Sequence, residues 1–183
     1  MITSESEIPG SLNAKNIQQR ILDVGSGELE MWKSMVIEDE HLFDQLFSFI
    51  FSEDHRLAWR SCWIIDTASE ACPDLLANKI PGIINGFSTT KDGSLKRHFT
   101  RILCRYPIPV EYMTAVIDRS FGLLAPSEPI AVRVFAMQLL FNITKELPEL
   151  KGELISVLEH LLEEGGSAGF INRSGKLLRQ LRS

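Results

Sequence analysis

Residues 132–143 read VRVFAMQLLFNI, and their apolar side chains recur at intervals of three and four rather than two. Val132, Ala136, Leu139, Leu140 and Ile143 therefore share one face of a helix. The same frame lies over LAWRSCWIIDTA from Leu57, LKRHFTRILCRY from Leu95 and FINRSGKLLRQL from Phe170, so that successive segments start 38, 37 and 38 residues apart. The shared positions read Leu57, Ser61, Ile64, Ile65, Ala68; Leu95, Phe99, Ile102, Leu103, Tyr106; Val132, Ala136, Leu139, Leu140, Ile143; Phe170, Ser174, Leu177, Leu178, Leu181. Eighteen of the twenty are apolar or aromatic, and the two exceptions are serines at one offset, small enough for two helices to approach closely there.

The loops before these segments are suited to starting helices. SEDH, TTKDGS, APSEP and EEGGS each bring Ser, Thr or an acid to the position where a side-chain oxygen takes up the unpaired amides of a first turn. Between the segments lie PDLLANKIPGIINGF, PVEYMTAVIDRSFGLL and PELKGELISVLEHLL. These open on Pro73, Pro109 and Pro148 with an acid close behind, a pattern that favours the positive end of a helix. HLFDQLFSFIF fills the same place before the first segment. Pro81 falls inside an apolar stretch and predicts a kink or break near Lys79 and Ile80. The unit is helix, turn, helix with a period near 37.

An acid-containing loop followed by a hydrophobic residue and arginine, as in SEDHRLAWR, TKDGSLKRH and above all APSEPIAVRV with Val132-Arg133, resembles the HEAT repeat family and, more loosely, the armadillo repeats. The resemblance covers residues 39 to 183. It implies an all-α fold, a right-handed α-α superhelix (solenoid) of about four to five helix pairs in one domain over 11–183. The pairs fall at 39–70, 73–106, 109–146 and 148–183, with cap helices at 11–38 and a disordered terminus at 1–10. The glycine-rich start of the last segment, GGSAGFINRSG, departs from the pattern.

A competing signal sits in that cap. RILDVGSGELE, residues 20–30, looks like the nucleotide loop that opens an S-adenosylmethionine-dependent methyltransferase. Such a loop needs a strand before it and a parallel sheet after it. Glu28-Leu29 stand where a further glycine belongs, and no strand pattern follows. The expectation is therefore a helix over NAKNIQQRILDV, ended by Gly25 and Gly27 in the left-handed conformation, with ELEMWKSMV as the next helix.

Composition narrows the function classes. No apolar run is long enough to span a bilayer and the first residues are polar and acidic, which predicts a cytoplasmic protein with no membrane partner. Cys62, Cys72 and Cys104 form no CxxC pair, and the four histidines are scattered, read as surface or helix-end residues, so neither metal ligands nor cofactors are expected. No nucleophile elbow, phosphate loop or Cys/His signature occurs, and no catalytic activity is predicted. Charge is uneven: residues 1–53 carry −7 and residues 54–183 carry +2.

Stacked helical repeats hold other macromolecules, generally on the face lined by second helices. Beside the apolar frame, at the third and seventh positions of each segment, there stand Trp59 and Trp63, then Arg97 and Arg101, then Val134 and Gln138, then Asn172 and Lys176, with Arg60 close in sequence. This patch suits an unidentified protein or peptide with acidic and apolar anchors, the work of a non-catalytic scaffold or adaptor. The same tryptophans and arginines equally suit internal packing. The alternative is a DNA-binding protein resembling the HEAT-like DNA alkylation repair glycosylases, with Asp66 as the catalytic aspartate, and the net charge of −5 argues against it.

Overall fold

In the computed structural model, residues 14–183 are described, so the expectation of disorder over 1–10 lies outside them. Among the described residues there are ten α-helices and no strand: α1 (Ala14–Asp23), α2 (Leu29–Glu38), α3 (Glu40–Phe49), α4 (His55–Ala71), α5 (Ile80–Thr89), α6 (Gly93–Leu103), α7 (Met113–Gly122), α8 (Ile130–Ile143), α9 (Lys151–Glu163) and α10 (Ala168–Arg182). None is long and apolar enough to cross a membrane. The periodicity reads 11–183 as one array, and the contacts divide it into two compact units, residues 1–68 and 69–183.

The helix starts follow the loop chemistry. The Asp54 carboxylate accepts from the Arg56 and Leu57 amides at 2.8 and 3.2 Å, Asp92 from Leu95 at 2.9 Å, and Ser167 from Phe170 at 3.3 Å. The third loop differs. Pro129 stands at the N-cap of α8 with no side-chain acceptor, and Glu128 instead pairs with Lys96 at 2.5 Å. Pro73, Pro109 and Pro148 begin single 3-10 turns rather than the α-helices themselves. The break near Lys79 occurs as the residue types require: Pro81 sits in the first turn of α5, where its missing amide costs no hydrogen bond.

In the carboxy-terminal unit α5 packs on α6, α7 on α8 and α9 on α10, while α6, α8 and α10 lie in series, each against the next. Nineteen of the twenty frame positions are buried; Tyr106 alone is half-exposed, and its hydroxyl donates to the Pro73 carbonyl at 2.8 Å. Ser174 is fully buried, its hydroxyl 2.9 Å from the Phe170 carbonyl and 3.2 Å from the Met137 sulfur, the close approach its size permits. Polar bonds step across repeats in the same way. Arg119 donates to the Thr90 carbonyl at 2.8 Å, and Asn142 to that of Cys104 at 2.8 Å, each taking up a backbone group that the end of a helix leaves unpaired. Arg133, the arginine of the best-matching start, is buried: Nε donates to the Leu124 carbonyl at 3.0 Å and the guanidinium lies 4.2 Å from the centre of the Phe170 ring.

In the amino-terminal unit Ile17, Ile21 and Val24 are buried, Arg20 lies over the buried Trp32 ring at 5.5 Å, and α2 packs on α3. The methyltransferase resemblance fails on the element before the glycines, which is the helix α1 rather than a strand. The proposed left-handed ending also needs correction. Among the described residues only Gly165 and Gly166 have positive φ, at 83° and 154°; Gly25 instead donates its amide to the Glu28 carboxylate at 3.2 Å. At the glycine-rich start of the last segment the backbone itself thus calls for glycine, and α10 forms directly after it.

Replacing Arg133 by Ala should lower stability by about 2–4 kcal/mol, the loss of a buried charged hydrogen bond and of the ring contact, with Lys restoring only part of it. Gly165→Ala, where a side chain meets open space, should cost about 1–2 kcal/mol through φ alone. Urea unfolding of the full chain measures both.

Candidate functional site

The sequence-predicted residues fall in both units. Trp59, Trp63 and Arg60 belong to the amino-terminal one, Arg97 and Arg101 to the other. Trp59 and Trp63 are half-exposed on α4 and stack on each other, ring centres 6.0 Å apart and planes at 27°. The cation over Trp59 is Arg60, at 5.2 Å. Arg60 also donates to the Val24 carbonyl, and Arg56 to that of Leu22 at 3.3 Å, so both arginines neutralise the carboxy-terminal end of α1. Arg60 is thereby engaged in folding.

In the carboxy-terminal unit the second helices α6, α8 and α10 present an open groove of about 460 Å³. Its lining is Glu70, Arg101, Cys104 and Arg105 on one side and Val134, Phe135, Gln138 and Arg173 on the other. Arg101 forms an ion pair with Glu70 in which both side chains keep substantial exposure, 30% and 53%. Arg105 donates to the Ser69 hydroxyl at 3.1 Å and, just past the end of α6, back towards the Arg101 carbonyl at 3.4 Å. Arg173 donates to the Gln138 side-chain oxygen. Val134 and Phe135 are half-exposed, an apolar floor between cations.

The structure brings together three of the residues read beside the frame, Arg101, Val134 and Gln138, and adds Arg105, Phe135 and Arg173. Arg97 is elsewhere. It is exposed, 3.1 Å from His98 Nε2, and borders a separate depression between the starts of α6 and α8. Phe135 and Arg173 stand one residue beyond Val134 and Asn172, and Arg105 one turn past Arg101. A helical wheel centred on Arg101 and its equivalents, taking i−4, i−3 and i+4, would have found all three.

Other readings change on burial. Asp66 is fully buried, which withdraws it from contact with a nucleic-acid base. His98 is 2% exposed, a core residue rather than a surface one. Among the described residues no cluster of His, Cys, Asp and Glu has the arrangement of a metal site. Of the three free cysteines, Cys72 and Cys104 are half-buried and Cys62 fully buried. Burial first, and then the Asp66 charge, push the Cys62 thiol well above its ordinary range.

The class these observations define is an all-helical repeat protein built of antiparallel helix pairs. A model of the HEAT repeat domain matches residues 21–181, and the chain belongs to the HEAT repeat family. No curated protein and no solved structure matches the chain.

The raised thiol has a pH consequence. Because Cys62 holds its proton more tightly when folded, its contribution to stability is complete below about pH 8.5, the unfolded thiol's range, and declines as pH rises beyond it. Between about pH 8.5 and 10 the urea midpoint of the wild type should fall more steeply than that of Cys62→Ala. Parallel slopes would show that the folded and unfolded thiols titrate alike.

Proposed function

We propose that this protein is a non-catalytic interaction scaffold that holds a peptide segment of another protein against α6, α8 and α10. One observation carries the reading: half-exposed Val134 and Phe135 floor an open groove whose rim is polar and charged. An apolar centre ringed by arginines is the composition of an interface hot spot, since the centre supplies desolvation and the rim supplies direction. The family supports the same reading, because stacked helical repeats work by holding a macromolecule along a continuous face. The stacked Trp59–Trp63 pair is a second exposed aromatic surface, in the other unit. The DNA-repair alternative loses its aspartate to burial, and the net charge of −5 opposes a phosphate backbone.

Panning a random nonapeptide library against the full chain, with Phe135→Glu as counter-target, tests the groove. Peptides retained by the wild type should lose at least about tenfold in affinity on Phe135→Glu and a smaller part on Val134→Ala, with the circular dichroism melts of both variants matched to the wild type. Equal retention by all three would remove the groove from the proposal.

A further inference from the structure

Resting on that reading of the groove, we infer that the segment it takes is acidic, and that Glu70 holds the place of one guest carboxylate until the partner arrives. Three guanidiniums, Arg101, Arg105 and Arg173, line the groove against the single carboxylate of Glu70; the other lining residues are uncharged. Arg173 donates to an amide oxygen, which is neutral, whereas a carboxylate makes a shorter and stronger bond to a guanidinium and accepts two parallel ones. Arg101 already holds a carboxylate, with half of the Glu70 side chain in solvent. An ion pair this exposed is readily exchanged, because water screens it in both the free and the bound state.

Glu70 therefore competes with the guest for Arg101, which gives a sign opposite to ordinary intuition: deleting a charged group from the groove tightens binding. Val134 and Phe135 lie between the cations and accept one apolar side chain of the guest, so the recognised pattern is an apolar anchor flanked by Asp or Glu. A peptide fits this better than a nucleic acid does. The groove's volume of about 460 Å³ accommodates a few side chains rather than a duplex, Glu70 repels phosphates, and the whole chain is negative.

The test uses three fluorescein-labelled nonapeptides with a central Leu-Phe, flanked by Asp/Glu, by Asn/Gln or by Lys, together with labelled single-stranded and duplex DNA, read by anisotropy on the full chain. The acidic peptide should bind best and weaken as salt rises from about 0.05 to 0.5 M. Glu70→Gln should tighten it by about two- to fivefold, and Arg101→Ala with Arg173→Ala should weaken it by about tenfold or more. Glu153→Gln, an exposed acid on α9 outside the groove, makes the same change in net charge and should leave binding unchanged. If the Asn/Gln peptide binds as tightly and Glu70→Gln changes nothing, the groove is an apolar site: the inference on charge falls and the scaffold reading stands. If DNA binds through Arg101 and Arg173 and displaces the acidic peptide, the inference is overturned in favour of a phosphate ligand. If no peptide binds, here or from the library, both readings fall.

Discussion

A helix pair of this kind has apolar surface on more sides than its own partner can cover. Leu139 and Leu140 are adjacent in sequence and stand about 100° apart round the helix, yet both are buried, as are Ile64 with Ile65, Ile102 with Leu103 and Leu177 with Leu178. Such a doubled apolar position demands a repeat before and a repeat after, and every other feature follows from meeting that demand. It explains why polar bonds span about one period, as where Asn142 reaches Cys104 and Arg105 reaches Ser69. The side chains at repeat borders satisfy backbone and hydroxyl groups that burial would otherwise leave without water.

The arginines divide by what they hold. Arg56, Arg60, Arg119 and Arg133 donate to main-chain carbonyls of other elements, where no ligand can take their place without unravelling a helix end. Arg101 and Arg173 hold the side chains of Glu70 and Gln138, groups that can turn away at small cost. That contrast separates arginines tied to backbone from arginines tied to other side chains. Two positive-φ glycines obey the same logic: Gly165 and Gly166 reverse the chain between α9 and α10, so that Phe170 can enter the core beneath Arg133.

Much of this was legible because it is periodic or local. The twenty-position frame, the caps at Asp54, Asp92 and Ser167, and the break at Pro81 each depend on a few neighbouring residues. The errors share the opposite property. His98 reads as a surface histidine from its polarity, and packing places it inside. Gly25 and Gly27 read as left-handed, but the Glu28 side chain closes that turn in another way.

Sequence alone determined the helical unit, its period and its family, because burial of a 3.6-residue stripe leaves its mark in the order of side chains. Which charged residues are spent on backbone and which meet other side chains was decided only by the tertiary structure. Whether a guanidinium meets a carbonyl, a carboxylate or solvent depends on side chains about one repeat away, and no local pattern encodes that meeting.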